Sequence, residues 1–127
     1  MNILIDTHVL LWFLNGDEKL PLRVKDAIED FNNNKFVSTS SIWELAIKTS
    51  LGKFKFDKGF DDFLKLIDNN GFELLHITLD HVLILSNLEF IHRDPFDRLM
   101  VAQCKSDNLV FATKDENIKK YNIDTIW

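Results

Sequence analysis

The chain has 127 residues, of which 46% are hydrophobic and 28% are charged. This composition is typical of a single globular domain over residues 1–127, long enough to bury a core without disulfides or a structural metal. A lone cysteine, Cys104, excludes a disulfide framework, and the net charge of −5 argues against a nucleic-acid binder unless bound metal neutralises several acids.

The amino-terminal segment predicts a cytoplasmic protein. It begins Met-Asn-Ile-Leu-Ile-Asp, without the basic start of a secretory signal. The longest early apolar run, Val9–Leu14, is too short to span a bilayer. We therefore expect no association with a membrane.

Strand and helix patterns alternate along the chain. Short apolar runs predict strands, and apolar residues spaced three and four apart predict helices. In chain order these are strand Asn2–Asp6, helices His8–Leu14 and Val24–Phe31, strand Phe36–Ser38, helices Ile42–Thr49 and Phe60–Ile67, strand Phe72–Ile77, a helix from Thr78 to Leu88, a helix opening at Pro95, strand Leu109–Thr113, a short helix Glu116–Tyr121 and strand Ile123–Trp127. This alternation predicts an α/β fold, a three-layer α/β/α sandwich with helices on both faces of a central parallel sheet.

Four acidic residues sit where a predicted strand gives way to a helix. They are Asp6, Glu44, Asp97 and Asp115. The carboxyl ends of parallel strands lie along one edge of the sheet, so these side chains can converge there. Because clustered carboxylates raise each other's pKa, such a cluster favours a hard divalent cation, Mg²⁺ or Mn²⁺. The pattern therefore predicts metal-assisted phosphate chemistry.

Helix capping is the alternative explanation for each acid. Ser41 and Glu44 have the Ser-x-x-Glu spacing of a capping box, and Asp94 precedes Pro95 as an N-cap with Asp97 in the first turn. Asp6 and Asp115 can likewise cap the helices that follow them. Capping explains each acid singly, but it predicts no convergence of all four on one edge of a sheet.

Four sequence strings surround the four acids. They are Asp6-Thr7-His8-Val9-Leu10-Leu11-Trp12, Ser40-Ser41-Ile42-Trp43-Glu44, Asp94-Pro95-Phe96-Asp97-Arg98 and Thr113-Lys114-Asp115. Together they resemble the PIN domain family, and more narrowly the VapC-type toxins. The resemblance spans essentially the whole chain, with the motifs in the expected order. It implies a PIN-like fold, Mg²⁺ or Mn²⁺ dependence, endoribonuclease activity, dimerisation and neutralisation by a small antitoxin protein.

The resemblance also implies roles for the site residues. Asp6, Glu44, Asp97 and Asp115 would form the acidic quartet, with Thr113 as a neighbouring polar contributor. Of these we expect Asp6 and Asp97 to ligate metal directly, while Glu44 and Asp115 bind a second metal, act through water or position the nucleophile. Hydrolysis of an RNA phosphodiester would then use water activated by the metal.

Basic residues near these motifs are the expected RNA contacts, with ordinary solvated surface as the alternative. Lys48, Arg98 and Lys114 are the chosen candidates. His8 and His92 lack the spacing of a zinc site, so a polar or packing role is expected for them. A noncatalytic PIN-like binding or signalling module remains the alternative function.

Overall fold

The protein, described here by a computed structural model of residues 1–127, is built on a five-stranded sheet in which every strand pair is parallel. The strands are β1 (Asn2–Ile5), β2 (Asn34–Ser38), β3 (Glu73–Leu75), β4 (Val110–Ala112) and β5 (Thr125–Ile126). The helices are α1 (Thr7–Asn15), α2 (Leu22–Glu29), α3 (Thr39–Ser50), α4 (Phe60–Asn69), α5 (Leu79–Ser86) and α6 (Pro95–Asp107), followed by a 3₁₀ helix (Glu116–Tyr121). The predicted three-layer α/β/α sandwich is confirmed.

The central strand β1 divides the core into two parts. Ile3 and Ile5 belong to a cluster of 14 buried hydrophobic residues, whereas Leu4 belongs to a second cluster of eight. Successive side chains of a strand point to opposite faces of the sheet, so the two clusters lie on its two faces. Burial on both faces is typical of a parallel strand covered by helices.

The strand order β3-β2-β1-β4-β5 places the topological switch at β1. The chain builds the sheet outward from β1 through β2 to β3, and then crosses to β4 on the other side of β1. In open parallel sheets ligands bind in the crevice at the carboxyl ends of the strands at such a switch. The fold therefore places a crevice beside Asp6, the residue that follows β1.

Two local predictions are wrong. The helix predicted over Val24–Phe31 ends at Glu29, and Phe31 is 93% exposed, because Asp30 turns the chain and its side chain accepts a hydrogen bond from the Asn32 amide. The capping box at Ser41 and Glu44 does not form. Ser38 is the N-cap of α3, and its hydroxyl accepts from the Ser40 amide, so Glu44 lies in the second turn of the helix.

The helices are short, and α6 is the longest with 13 residues. None of them is long and apolar enough to cross a membrane.

Candidate active site

A cavity of about 490 Å³ lies at the carboxyl ends of β1 and β4, at the switch point. Nine of its eleven lining residues are polar or charged, and only two are hydrophobic. Six carboxylates line the cavity. They belong to Asp6, Glu44, Asp94, Asp97, Asp115 and Glu116. The structure thus brings all four predicted site acids to one cavity, together with Asp94.

Asp6 is held from two sides. Its backbone N–H donates to the Ala112 carbonyl at 3.0 Å, which ties the end of β1 to β4. One carboxylate oxygen accepts from the Thr7 amide at 2.7 Å, and the other accepts from the Thr113 hydroxyl at 2.7 Å. Burial raises the pKa of Asp6 above its ordinary value, although these two hydrogen bonds act in the opposite direction. Asp6 is therefore both the N-cap of α1 and a fixed carboxylate in the cavity.

Glu44 enters the cavity from the second turn of α3. Its side chain is almost fully buried and accepts a hydrogen bond from the Thr7 hydroxyl at 3.1 Å. Its second oxygen lies 3.1 Å from the Lys48 ammonium one turn later. The Thr7 hydroxyl oxygen also lies 2.8 Å from Ser41 Oγ, so the Ser41 side chain contributes to this network rather than to a helix cap.

Asp94 and Asp97 divide two roles at the start of α6. One oxygen of Asp94 accepts from the Phe96 and Asp97 amides at 2.9 and 3.0 Å, which makes Asp94 the N-cap. The Asp97 carboxylate in the first turn caps nothing and faces the cavity. Pro95 at the first helical position fixes this arrangement, because proline there lacks only an amide that α-helices leave unpaired.

The pKa of the Asp97 side chain is strongly raised. Burial is the largest cause that raises the pKa of Asp97 from its ordinary 3.8 to about 8. Nearby carboxylates raise it further; they belong to Asp6, Asp94, Glu44 and Asp115. A carboxyl group in such surroundings is neutral at pH 7 unless positive charge is placed beside it.

Asp115 completes the group from the loop after β4. One of its oxygens caps the 3₁₀ helix by accepting from the Asn117 amide at 2.9 Å, and its own amide donates to the Thr113 hydroxyl at 3.1 Å. One ligand atom each from Asp115, Asp97 and His92 lie within 4.8 Å of one another. Asp115 is thus in reach of a cation shared with Asp97.

The donors in the cavity fit a hard divalent cation. Carboxylate and hydroxyl oxygens are the ligands that Mg²⁺ and Mn²⁺ prefer. Burial and, to a lesser extent, the neighbouring carboxylates raise the pKa of Asp97, and a bound cation would favour its ionised form. Among the cavity-lining residues only Lys114 and His8 can carry positive charge.

The basic residues predicted as RNA contacts have three different positions. Lys114 is exposed and lines the cavity, with its ammonium 5.9 Å from the centre of the Trp12 ring. Lys48 is engaged with Glu44. Arg98 is 8% exposed and donates to the carbonyls of Leu88 and Glu89 at 3.3 and 3.0 Å. Arg98 therefore anchors the segment before α6, and its burial leaves little of its side chain exposed for the predicted RNA contact.

Six of the eleven residues that line the cavity were not among the predicted site residues, and two of these six, His8 and Trp12, carry aromatic rings. The exposed His8 and the partly buried Trp12 line it, because the first turn and a half of α1 borders the crevice. From the sequence, only a polar or packing role was expected for His8, because it lacks the spacing of a zinc site. The place of both residues directly after Asp6 on the same helix was the signal that could have identified them.

Comparisons with known proteins agree with this architecture. The PIN domain family model matches residues 3–124. No curated protein sequence matches the chain. The solved structures described next share less than 20% sequence identity with the chain, so their similarity concerns the fold.

Solved structures similar to the chain cover nearly all of it. VapBC2 from Rickettsia felis, bound to a DNA fragment from the promoter, has a TM-score of 0.76 at 16% identity, covering 99% of this chain and 98% of that one. VapBC-1 from nontypeable Haemophilus influenzae has a TM-score of 0.75 at 14% identity, covering 99% and 97%. The PIN domain endonuclease Utp24 has a TM-score of 0.56 at 17% identity, covering 99% and 85%.

Proposed function

The chain belongs to the PIN domain family, and from this premise we propose that it is a metal-dependent endoribonuclease, the toxin of a toxin–antitoxin pair. The observation that carries the proposal is the convergence of Asp6, Glu44, Asp97 and Asp115 on one cavity at the switch point of the sheet. Likeness in fold to VapBC proteins and to an endonuclease supports it. The whole of residues 1–127 would act as a single PIN-like domain.

Mg²⁺ or Mn²⁺ would be held by Asp6 and Asp97, with Glu44 and Asp115 as ligands of a second ion or as partners through water. When bound, the divalent cation would supply positive charge at the scissile phosphate and lower the pKa of a water molecule, so that the water loses a proton more readily and becomes a better nucleophile. This hydrolysis needs no serine, cysteine or histidine nucleophile, because water is the nucleophile.

The protein's own groups would fix the carboxylates and the RNA. Thr113 and the Thr7 amide hold the two oxygens of Asp6, so that carboxylate keeps one orientation. Thr7 and Lys48 hold Glu44 in the same way. Preorganised ligands need little reorientation when charge develops on the phosphate.

Lys114 would bind an RNA phosphate at the rim of the cavity. Its ammonium is exposed beside the acids and lies near the face of Trp12. A positive group at this place offsets the repulsion between the acidic cavity and the RNA backbone. Replacing Lys114 would weaken RNA binding at low salt more than at high salt.

Exposed apolar side chains would serve protein partners. Trp43 is 57% exposed on α3, on the face next to Phe96, and would contact the antitoxin. Leu79 and Leu83 of α5 are 86% and 63% exposed and would contribute to a homodimer. Apolar groups exposed in this way favour partner contacts because their burial removes them from water.

Cleavage of a small-RNA pool by antitoxin-free protein tests the proposed activity. We expect discrete fragments with Mg²⁺ or Mn²⁺, none with EDTA, and none with Asp6→Asn, which keeps the size of the side chain and removes its charge. Asp26→Asn on the exposed side of α2 is the matched control and should cleave as the wild type does. Normal cleavage by Asp6→Asn would sink the proposal. No cleavage by the folded wild type would favour the noncatalytic binding module.

A further inference from the structure

His92 lies behind the acidic cavity with one ring nitrogen unpaired. Its Nε2 atom is buried, has no hydrogen-bond partner, and lies 3.6 Å from Asp97 Oδ2. The nitrogen does not line the cavity, whereas Asp97 does. A buried nitrogen without a partner costs free energy, so its position beside a site carboxylate calls for an explanation.

The hydroxyl of Tyr121 decides which nitrogen of His92 carries the hydrogen. The phenol oxygen accepts from the His92 amide at 3.1 Å and from Arg98 Nη1 at 3.3 Å. The same oxygen lies 2.7 Å from His92 Nδ1. Two N–H donors occupy the oxygen as an acceptor, so its own hydrogen is left for Nδ1.

A histidine whose Nδ1 accepts a hydrogen bond carries its hydrogen on Nε2 in the neutral form. A hydrogen on Nδ1 would direct a third N–H at the phenol oxygen and leave the hydroxyl hydrogen without an acceptor. The Nε2–H therefore points toward Asp97, and Nε2 has no lone pair free for a metal ion. This hydrogen-bond pattern argues against His92 as a ligand, although its distance to Asp97 and Asp115 would suit one.

We propose that His92 is a positioning residue for Asp97, which it holds through an Nε2–H donor that Tyr121 orients. The inference rests on the proposed function in taking Asp97 as a cation ligand. The present separation of 3.6 Å exceeds a hydrogen bond by about half an ångström, a gap that a small rotation of the Asp97 side chain closes. Carboxylates that ligate metals are commonly held by such an outer donor.

The tautomer of His92 can be measured in the wild-type protein without any substitution. Long-range ¹H–¹⁵N correlation spectra of metal-free protein distinguish a hydrogen on Nε2 from one on Nδ1. His81 serves as the internal reference, because its Nδ1 accepts from the Thr78 amide and its Nε2 faces Asp107. We expect both histidines to give the Nε2–H pattern. An Nδ1–H pattern at His92 would overturn the inference.

Mn²⁺ affinity, measured by calorimetry, tests the action through Asp97. His92→Phe should lose about 10-fold or more in affinity, in the range seen when outer donors of metal sites are removed. His92→Gln, which keeps an N–H donor at similar reach, should stay within about threefold of the wild type. His81→Gln removes a buried structural histidine outside the cavity, and it should bind Mn²⁺ as the wild type does. Wild-type affinity in a folded His92→Phe variant would refute the positioning role.

Pulsed electron paramagnetic resonance of bound Mn²⁺ separates a positioning residue from a ligand. The inference predicts no directly coordinated imidazole nitrogen, and a ¹⁴N coupling that disappears in His92→Gln would overturn it. RNA cleavage enters none of these measurements. If the wild-type protein cleaves no RNA but the Mn²⁺ affinities of the variants are as expected, the result counts against the proposed function alone. If the wild-type protein cleaves RNA but His92→Phe binds Mn²⁺ as tightly as the wild type does, the result counts against the inference alone.

Discussion

The two ends of α6 place a carboxylate beside a histidine in different ways; His81 is buried and His92 is partly buried. At the carboxyl end both oxygens of Asp107 lie 3.0 and 3.1 Å from His81 Nε2. At the amino end Asp97 lies 3.6 Å from His92 Nε2, and the pKa of Asp97 is raised to about 8. The first pair links α5 to α6 and is satisfied within the protein. The second leaves the Asp97 carboxylate short of hydrogen-bond partners among other acids, which supports the proposal that the amino end of the helix binds a cation.

Substituting the two aspartates should affect RNA cleavage to very different extents. Asp97→Asn removes a proposed cation ligand, and we expect RNA cleavage to fall by more than about 100-fold. Asp107→Asn lies outside the cavity and should cleave within about twofold of the wild type. Initial RNA cleavage rates of both variants at saturating Mg²⁺ measure the difference. Equal losses of rate in the two variants would contradict the assignment of the ligand site to the amino end of α6 alone.

The raised pKa of Asp97, caused by burial and by the neighbouring carboxylates, also predicts how the stability of the metal-free protein in EDTA depends on pH. The folded protein holds the proton of Asp97 up to about pH 8, whereas the unfolded chain releases it near 3.8. Between these values the unfolded state binds fewer protons, so stability falls as the pH rises from about 4 to 8. Asn cannot ionise, so Asp97→Asn should be more stable than the wild type by about 1–3 kcal/mol at pH 9, and the gain should vanish near pH 4. Urea unfolding at the two pH values would show it, and a variant less stable at pH 9 would contradict the assigned cause.

At the other end of α6 the effect on stability should have the opposite sign. Asp107→Asn weakens the partner of the buried His81 side chain, and we expect a loss of about 1–2 kcal/mol at pH 7. Thermal unfolding of this variant beside the wild type measures the loss. A variant as stable as the wild type would mean that this pair does not link α5 to α6.

The smallest effect on stability is expected at Trp43. This side chain is 57% exposed, so Trp43→Ala should change the free energy of unfolding by less than about 1 kcal/mol. Binding to the protein encoded beside this gene, the expected antitoxin, should weaken by about 10-fold or more. Phe31→Ala, at an aromatic residue that is 93% exposed, is the matched control. Unchanged binding by Trp43→Ala would remove this face as the antitoxin site.

Local chemistry explains which features were predictable from sequence. Asp94 and Pro95 define the start of α6 within two residues, and the structure begins the helix at Pro95. The order of strands and helices followed from apolar periodicity in the same way. The predicted end of the second helix at Phe31 was wrong, because the apolar spacing continues past Asp30, where the chain turns.

Tertiary contacts explain what the sequence did not reveal in the site. Arg98 stands next to Asp97 in sequence, and nothing local indicates that its guanidinium is buried against backbone carbonyls and Tyr121. The tautomer inferred for His92 could not be predicted from the sequence either, because it depends on the hydroxyl of Tyr121, which lies 29 residues away in the chain. Acids at strand ends could be found from topology, but the groups that hold them depend on packing.

Proton release on Mn²⁺ binding tests most directly that the acids of the cavity form a cation site. Calorimetry in buffers of different ionisation enthalpy gives the number of protons released by the wild-type protein. With the pKa of Asp97 at about 8, we expect about one proton to be released at pH 7 and few at pH 9, where Asp97 is already ionised. No Mn²⁺ binding, or binding at pH 7 without proton release, would contradict the assignment of Asp97 as a metal ligand.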